Sequence, residues 1–215
     1  MKIGFFGDSF AAWYENKHSI SNNYTTYIKL LVEHLEADII HLGKGGSSVW
    51  DLVLVQIPQL FEKEIPDVCI CAYSEPGRLF HREVRNLNFR SAERENSNIH
   101  LAAREYYKHL HDQEKHDLEY ISLLHYLDNK VFPAYKTKFI HLSSFQSVYK
   151  WQTGVTISPA LYNLSMQNHT VFPAEDIRAN HLEGTKKNNQ IFNALLDAIE
   201  NYKDGKEITI LDSDN

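Results

Sequence analysis

The sequence predicts an α/β fold in three layers, with helices on both sides of a mostly parallel sheet of four or five strands. Short apolar runs such as Val68-Cys-Ile-Cys-Ala-Tyr have the length and composition of strands that are buried on both faces. Between these runs lie longer segments with apolar residues at helical spacing. Strands that alternate with helices in this way form βαβ units, whose strands are parallel.

The first two strands frame a short helix. Ile3, Phe5 and Phe6 form an apolar run that stops at Gly7-Asp-Ser, which predicts a buried strand that ends in a turn. Residues 24–35 carry apolar side chains at helical spacing, and 38–42 form the second strand. Because ligands bind beyond the carboxyl ends of strands in such sheets, the residues after each strand are candidates for a site.

The second strand is followed by Gly43-Lys-Gly-Gly-Ser-Ser, a run that suits close approach of the backbone to a ligand and is also typical of a plain strand-to-helix turn. Ser48 and Asp51 have the spacing of a capping box, which predicts that a helix begins here. Pro58 is expected to kink or split this helix.

Residues 68–73 and 138–142 read as the third and fourth strands. Residues 78–132 between them are highly charged and carry apolar side chains at helical spacing only, so we predict a helical insertion that acts as a lid or as the contact of a homo-oligomer. Residues 151–172 show no clear period. The apolar run 208–211 near the end of the chain predicts either an edge strand or a disordered tail.

Length and composition exclude several classes of function. The 215 residues suit one domain, 1–215, and a net charge of −6 disfavours nucleic-acid binding. No apolar run reaches the roughly 20 residues of a membrane span, and no signal peptide is evident. We therefore expect no membrane partner and a cytoplasmic or virion-associated location. The only cysteines, Cys69 and Cys71, are expected to be buried thiols.

Ser9 and His181 are the candidates for nucleophilic catalysis. A serine hydroxyl needs a general base, and His181 precedes the last predicted helix, in Glu175-Asp-Ile-Arg-Ala-Asn-His. Trp13 and Trp151 are candidate aromatic contacts for a substrate, although Trp151 can equally pack a long loop. Histidines at 109, 111 and 116 do not predict a metal site, because residues two apart on a helix point in different directions.

Gly7-Asp-Ser-Phe after an N-terminal strand resembles the first motif of the SGNH (GDSL-type) hydrolases, which are esterases and acyl-hydrolases with a flavodoxin-like fold. Gly43 is similar to the glycine of the second motif, whose N–H contributes to the oxyanion hole. The segment around Asp176 and His181 looks like the last motif in a wider form, which some phage-borne relatives share. Ser74 stands where the third motif usually has an oxyanion asparagine.

The resemblance implies an esterase without cofactor or metal, which acts on an ester, such as an O-acetyl group of a carbohydrate, through an acyl-Ser9 intermediate. It assigns Ser9, His181 and Asp176 to catalysis, and the N–H groups of Ser9 and Gly43 with the Ser74 hydroxyl to the oxyanion hole. The alternatives are a non-catalytic carbohydrate-binding or virion module, and an O-acyltransferase that uses the same Ser9 and His181.

Overall fold

The chain folds around a six-stranded parallel sheet. The structure is a computed structural model and describes residues 1–12, 26–84, 87–145, 149–166 and 185–210. The strands, in chain order, are β1 Lys2–Gly7, β2 Asp38–His41, β3 Val68–Tyr73, β4 Lys138–Ser143, β5 Val155–Ser158 and β6 Lys206–Thr209. They lie in the order β2-β1-β3-β4-β5-β6, and every neighbouring pair is parallel. The predicted α/β fold is therefore confirmed.

The strand count of four or five was too low. β5 falls in the stretch 151–172, which shows no clear periodicity in the sequence, and it pairs with β4 through Ile140 and Val155. The apolar run near the C-terminus was expected to form an edge strand or a disordered tail. It contributes to the edge strand β6.

Helices cover both faces of the sheet. In chain order they are α1 Tyr27–His34, α2 Val49–Asp51, α3 Ile57–Phe61, α4 Phe89–Arg94, α5 Asn98–His109, α6 Gln113–Tyr126, α7 Leu161–Met166 and α8 Thr185–Glu200. Phe5 faces a core built with α1, α7 and α8, whereas its neighbour Phe6 faces a second core built with α2, α3 and α6. Alternate side chains of a strand point to opposite faces of the sheet, so one core lies on each face. The sheet and the helices on its two sides form the three layers.

Cys69 and Cys71 share the second of these cores, as the sequence predicted. Both are free thiols, and burial raises the pKa of Cys71 to about 12. Neither thiol is accessible for redox chemistry or for binding a metal in this position.

The segment between β2 and β3 is helical from Val49 to Phe61 and is not split by its proline. A π-helical segment, Leu52–Gln56, joins α2 to α3, and Pro58 lies in the first turn of α3. Proline is tolerated there, because the π-helical segment rearranges the backbone hydrogen bonds ahead of it. Ser48 caps the start of α2 by accepting a hydrogen bond from the Asp51 N–H at 3.2 Å, as the capping-box spacing predicted.

Between β3 and β4 the chain forms α4, α5 and α6. Leu87, Ala92 and Ala103 form a small core of their own under α4 and α5, whereas Tyr120 and Leu124 of α6 pack into the sheet core. α6 therefore brings insertion residues against the body of the protein. None of the described helices has both the length and the apolar character needed to cross a membrane.

Candidate active site

Ser9 lies just beyond the carboxyl end of β1, in the short 3-10 turn Ser9–Ala11. Gly7 makes this turn with a φ of +119°, and a Cβ on it would overlap the carbonyl oxygen of Ala72 in β3. Only glycine fits such a position. The turn leaves Ser9 partly exposed, while Phe10 and Ala11 are buried behind it.

Asp8 braces the turn that carries Ser9. Its Oδ1 accepts hydrogen bonds from the Phe10 N–H and from the Ser144 hydroxyl, both at 3.0 Å. The Asp8 side chain is fully buried, and burial raises its pKa. The positive charge of Arg78 acts in the opposite direction and lowers this pKa. No described residue is within hydrogen-bond distance of Asp8 Oδ2. Because Asp8 is enclosed by the turn, its role here is structural.

Gln56 holds the end of β1 from the other side. Its side-chain oxygen accepts the Gly7 N–H at 2.9 Å, and its amide nitrogen donates to the Gly7 carbonyl at 3.2 Å and to Asp51 Oδ2 at 2.7 Å. Gln56 is the last residue of the π-helical segment and is completely buried. Gln56 was not predicted from the sequence, because a lone glutamine in an apolar helix carries no recognisable motif.

The structure corrects the role expected of Gly43. Its N–H donates to the Ala11 carbonyl at 3.0 Å, and Lys44 N–H donates to the Gly7 carbonyl at 2.9 Å. A Cβ on Gly43 would lie 2.8 Å from the Ala11 Cβ. Gly43 therefore packs the loop against the Ser9 turn, and its N–H is already used. It is not available as an oxyanion donor in this conformation.

The tip of the same loop reaches Ser9 instead. A Cβ built on the exposed Gly45 would lie 4.0 Å from the Ser9 Cβ, so the Gly45 backbone passes beside Ser9. Ser47, two residues on, is 1% exposed, and no described residue pairs with its hydroxyl. The glycine-rich run did indicate a loop for close approach, but it could not show which of its residues faces Ser9.

Ser74 directly follows β3, the neighbour of β1 in the sheet. Gly7 of β1 pairs with Ala72 of β3, and Ser9 and Ser74 each lie two residues beyond this pair. Ser74 is 3% exposed, and its hydroxyl has no partner among the described residues. A buried hydroxyl without a partner is costly unless a bound group completes it, so Ser74 is suited to donate to a ligand.

Arg78 supplies a positive charge at this edge of the sheet. Its Nη1 lies 3.4 Å from the Ser47 carbonyl oxygen, and its Nε donates to Glu75 Oε1 at 3.0 Å. The guanidinium also lies over the Phe145 ring, 5.3 Å from its centroid. These contacts tie the loop after β3 to the glycine-rich loop after β2.

Trp151 was expected either to contact a substrate or to pack a long loop, and its position does not suit contact with a substrate. It is 4% exposed and stacks on His141, with ring centroids 3.9 Å apart, and on Tyr73 at 4.8 Å. The aromatic cluster belongs to the sheet core. Burial lowers the pKa of His141 to about 4, so this imidazole is neutral near neutral pH.

The remaining predicted residues, Trp13, Asp176 and His181, lie outside the described residues. Within the described ranges no three His, Cys, Asp or Glu side chains are placed to hold a metal ion. The site as described therefore consists of a positioned serine, a glycine-rich loop beside it and two buried hydroxyls at one edge of the sheet.

Comparison with known proteins gives structural similarity alone. No family model matches the chain, and no curated protein matches it. A catalytic mutant of an acetylxylan esterase from Geobacillus stearothermophilus is 15% identical over 92% of this chain and 93% of its own, with a TM-score of 0.48. Another acetyl xylan esterase is 18% identical over 98% and 77%, with a TM-score of 0.38.

An extracellular lipase from Streptomyces rimosus is 14% identical over 97% of this chain and 79% of its own, with a TM-score of 0.36. The solved structures similar to this chain thus include acetylxylan esterases and a lipase.

Proposed function

We propose that this chain is a serine ester hydrolase that removes O-acetyl groups from a carbohydrate through an acyl-Ser9 intermediate. One observation carries the proposal. The partly exposed Ser9 stands at the carboxyl end of β1, beside the Gly45 backbone and one strand from the buried, unpaired hydroxyl of Ser74. A nucleophile next to polar groups that lack partners is the arrangement that acyl transfer requires.

The proposed reaction has two halves. In the first, Ser9 Oγ attacks the ester carbonyl carbon, His181 takes the hydroxyl proton, and the same proton passes to the alcohol oxygen as the C–O bond breaks. In the second, His181 takes a proton from water, the hydroxide attacks the acyl carbon, and the acid leaves as the proton returns to Ser9. Asp176 is proposed to orient His181 and to stabilise its protonated form.

The oxyanion formed in each half needs donors other than Gly43. The N–H groups of Ser9 and Gly45 and the Ser74 hydroxyl are the donors that we propose. Gly43 is excluded because its N–H is bound to Ala11. A hydroxyl in place of the asparagine side chain still donates one hydrogen bond, and a lost donor typically costs about 3–4 kcal/mol in the transition state.

A second candidate is a carbohydrate-binding module of the same fold without catalysis. The specific observation in its favour is the Gly43 N–H, which is occupied by a protein carbonyl instead of pointing at the substrate. Such a module would bind the sugar at the same edge of the sheet but would form no acyl-enzyme. An O-acyltransferase would form the acyl-enzyme but pass the acetyl group to a sugar hydroxyl.

Hydrolysis of 4-nitrophenyl acetate by the parent protein and by Ser9→Ala tests the proposal. We expect a burst of nitrophenolate that matches the enzyme concentration, and a loss of roughly 1,000-fold or more in kcat for Ser9→Ala. Ser122→Ala is the matched control, because Ser122 is exposed on α6 and bonds only its own helix. Equal rates for parent and Ser9→Ala contradict the proposal, and product ratios with an acceptor sugar separate hydrolase from transferase.

A further inference from the structure

The insertion helix α6 carries apolar side chains on two different sides. Tyr120 and Leu124 pack into the sheet core, whereas Leu118 and Ile121, in the middle of the helix, are 67% and 41% exposed. Single exposed leucines are common on protein surfaces, so exposure alone does not indicate a partner. The spacing and the charge of the exposed residues around these two give a stronger indication.

Four exposed residues of α6 lie along one side of the helix. Glu114, Leu118, Ile121 and His125 follow one another at intervals of four, three and four residues. This is the spacing of the a and d positions of a coiled coil, which places side chains in one narrow stripe. We call these four residues the α6 stripe. It has an apolar centre, a carboxylate at one end and an imidazole at the other.

The two polar ends of the α6 stripe are available for a partner. No described residue forms an ion pair or a hydrogen bond with the Glu114 carboxylate, and Leu118 rather than a cation stands four residues after it. The Nδ1 atom of His125 accepts a hydrogen bond from the Asn129 amide at 3.1 Å. The proton of the neutral ring therefore lies on Nε2, which has no partner among the described residues and can donate to a carboxylate.

The α6 stripe is complementary to itself when two copies meet antiparallel. Leu118 and Ile121 lie equally far from the point midway between residues 119 and 120, and so do Glu114 and His125. A two-fold axis through this point sets Leu118 of one copy against Ile121 of the other. The same axis sets Glu114 against His125. Because the contact is isologous, each of these pairs is made twice.

Other arrangements of the two stripes lose this match. A parallel pair places the Glu114 carboxylates of both copies against each other, and like charges repel. An antiparallel pair displaced by one heptad places Leu118 against Glu114, which removes water from a carboxylate without giving it a partner. The pattern of charge therefore selects one orientation and one register.

We propose that two copies of this chain form a weak homodimer, in which the α6 stripes pair antiparallel about a two-fold axis. The 14 residues of α6 span about 21 Å. One pair of such helices buries less than the roughly 1,200 Å² found at the low end of stable interfaces. The dimer is therefore transient, with an expected Kd on the order of 100 µM. Its formation does not require catalysis by Ser9, so its test is separate from that of the proposed function.

Sedimentation equilibrium of the full chain tests the contact. The parent protein should pass from monomer to dimer between about 10 and 500 µM, and Ile121→Ser should weaken the dimer more than about tenfold, because two isoleucines leave the contact. Leu101→Ser is the matched control, because Leu101 is also 41% exposed but lies on α5, outside the α6 stripe. A parent protein that stays monomeric overturns the proposal, and so does equal weakening by the two variants.

Exchange of the polar ends tests the pairing of Glu114 with His125. Glu114→Lys removes the acceptor for His125, and His125→Glu sets a carboxylate against Glu114 of the other copy. Each variant should raise the Kd by roughly fivefold to tenfold, since every pair occurs twice in the dimer. The double variant restores both pairs with their signs exchanged, so its Kd should return to within about twofold of the parent value or below it. A double variant that dimerises no better than the single variants would show that the ends do not meet.

Disulfide formation tests the orientation and the register. Cys69 and Cys71 are buried, so an introduced cysteine is the accessible thiol. Mild oxidation of an equimolar mixture of Glu114→Cys and His125→Cys should give a linked dimer. Neither variant should link alone, because the two copies of either position lie about 16 Å apart along the helix axes. The absence of a linked dimer in the mixture, or a dimer from Glu114→Cys alone, overturns the proposal.

Discussion

Replacing Gln56 with glutamate tests whether the π-helical segment positions the end of β1. Gln56→Glu keeps the shape of the side chain but replaces its amide NH₂ by a carboxylate oxygen. The variant loses the donors to the Gly7 carbonyl at 3.2 Å and to Asp51 Oδ2 at 2.7 Å, and it sets two carboxylates against each other in a buried position.

Each of these lost bonds leaves a buried acceptor without its partner, at about 1–3 kcal/mol, and the facing carboxylates add to the cost. We expect the free energy of unfolding at pH 8 to fall by about 3–5 kcal/mol, measured by urea denaturation with the m-value unchanged. Esterase activity should fall as well, because the same bonds fix the turn that carries Ser9.

Gln113→Glu is the control for this prediction. Gln113 donates the same kind of hydrogen bond, to Asp117 Oδ1 at 2.7 Å, but at an exposed position on α6. Its replacement should change stability by less than about 0.5 kcal/mol, since exposed pairs are screened by solvent. If Gln56→Glu and Gln113→Glu lowered stability equally, Gln56 would not be holding the site.

Three further changes test the packing around the site. Gly7→Ala should lower the free energy of unfolding by about 2–4 kcal/mol in urea denaturation, because φ is +119° and the new Cβ meets the Ala72 carbonyl. A loss below about 1 kcal/mol would mean that the turn is not as described. His141 is neutral in the fold, with a pKa lowered to about 4. Its contribution to the free energy of unfolding is therefore complete above pH 6.5 and is lost as the pH falls to 4. The unfolding free energy of the parent relative to His141→Gln should drop by about 3 kcal/mol over that window, and a constant difference would refute the burial argument. Burial raises the pKa of Asp8, so its ionisation disfavours folding. Asp8→Asn should therefore gain stability over the parent as the pH rises from about 4 to 7, measured in the same denaturation series. A gain that did not grow with pH would contradict the predicted direction.

The strands and the alternation of elements were predictable because their local signals are strong. The run ending at Gly7 and the all-buried β3 have compositions that suit buried strands, and Gly7 marks the end of β1. β5 was missed because it is only four residues long and lies within an aromatic stretch, 151–172, that has no clear period. Its identity as a strand is set by pairing with β4 and β6, which is not a local property of the sequence.

The site was predictable only in part, for a similar reason. Ser9 and Ser74 were found because each directly follows a predicted strand, and strand ends meet at one edge of a parallel sheet. Gly43 looked equally suitable, but its N–H is bound to Ala11, a contact between segments 32 residues apart that no motif encodes. Trp151 was ambiguous because aromatic residues serve both cores and binding surfaces, and only its stacking on His141 decides between them.

The central claim is that Ser9 is an activated nucleophile, and intact-mass spectrometry after treatment with a fluorophosphonate probe tests it most directly. The account predicts one adduct on the folded parent protein, mapped to Ser9 by peptide analysis, and none on Ser9→Ala or His181→Ala. Ser122→Ala should label like the parent. A folded parent protein that forms no adduct, or one whose adduct persists in Ser9→Ala, would contradict the claim.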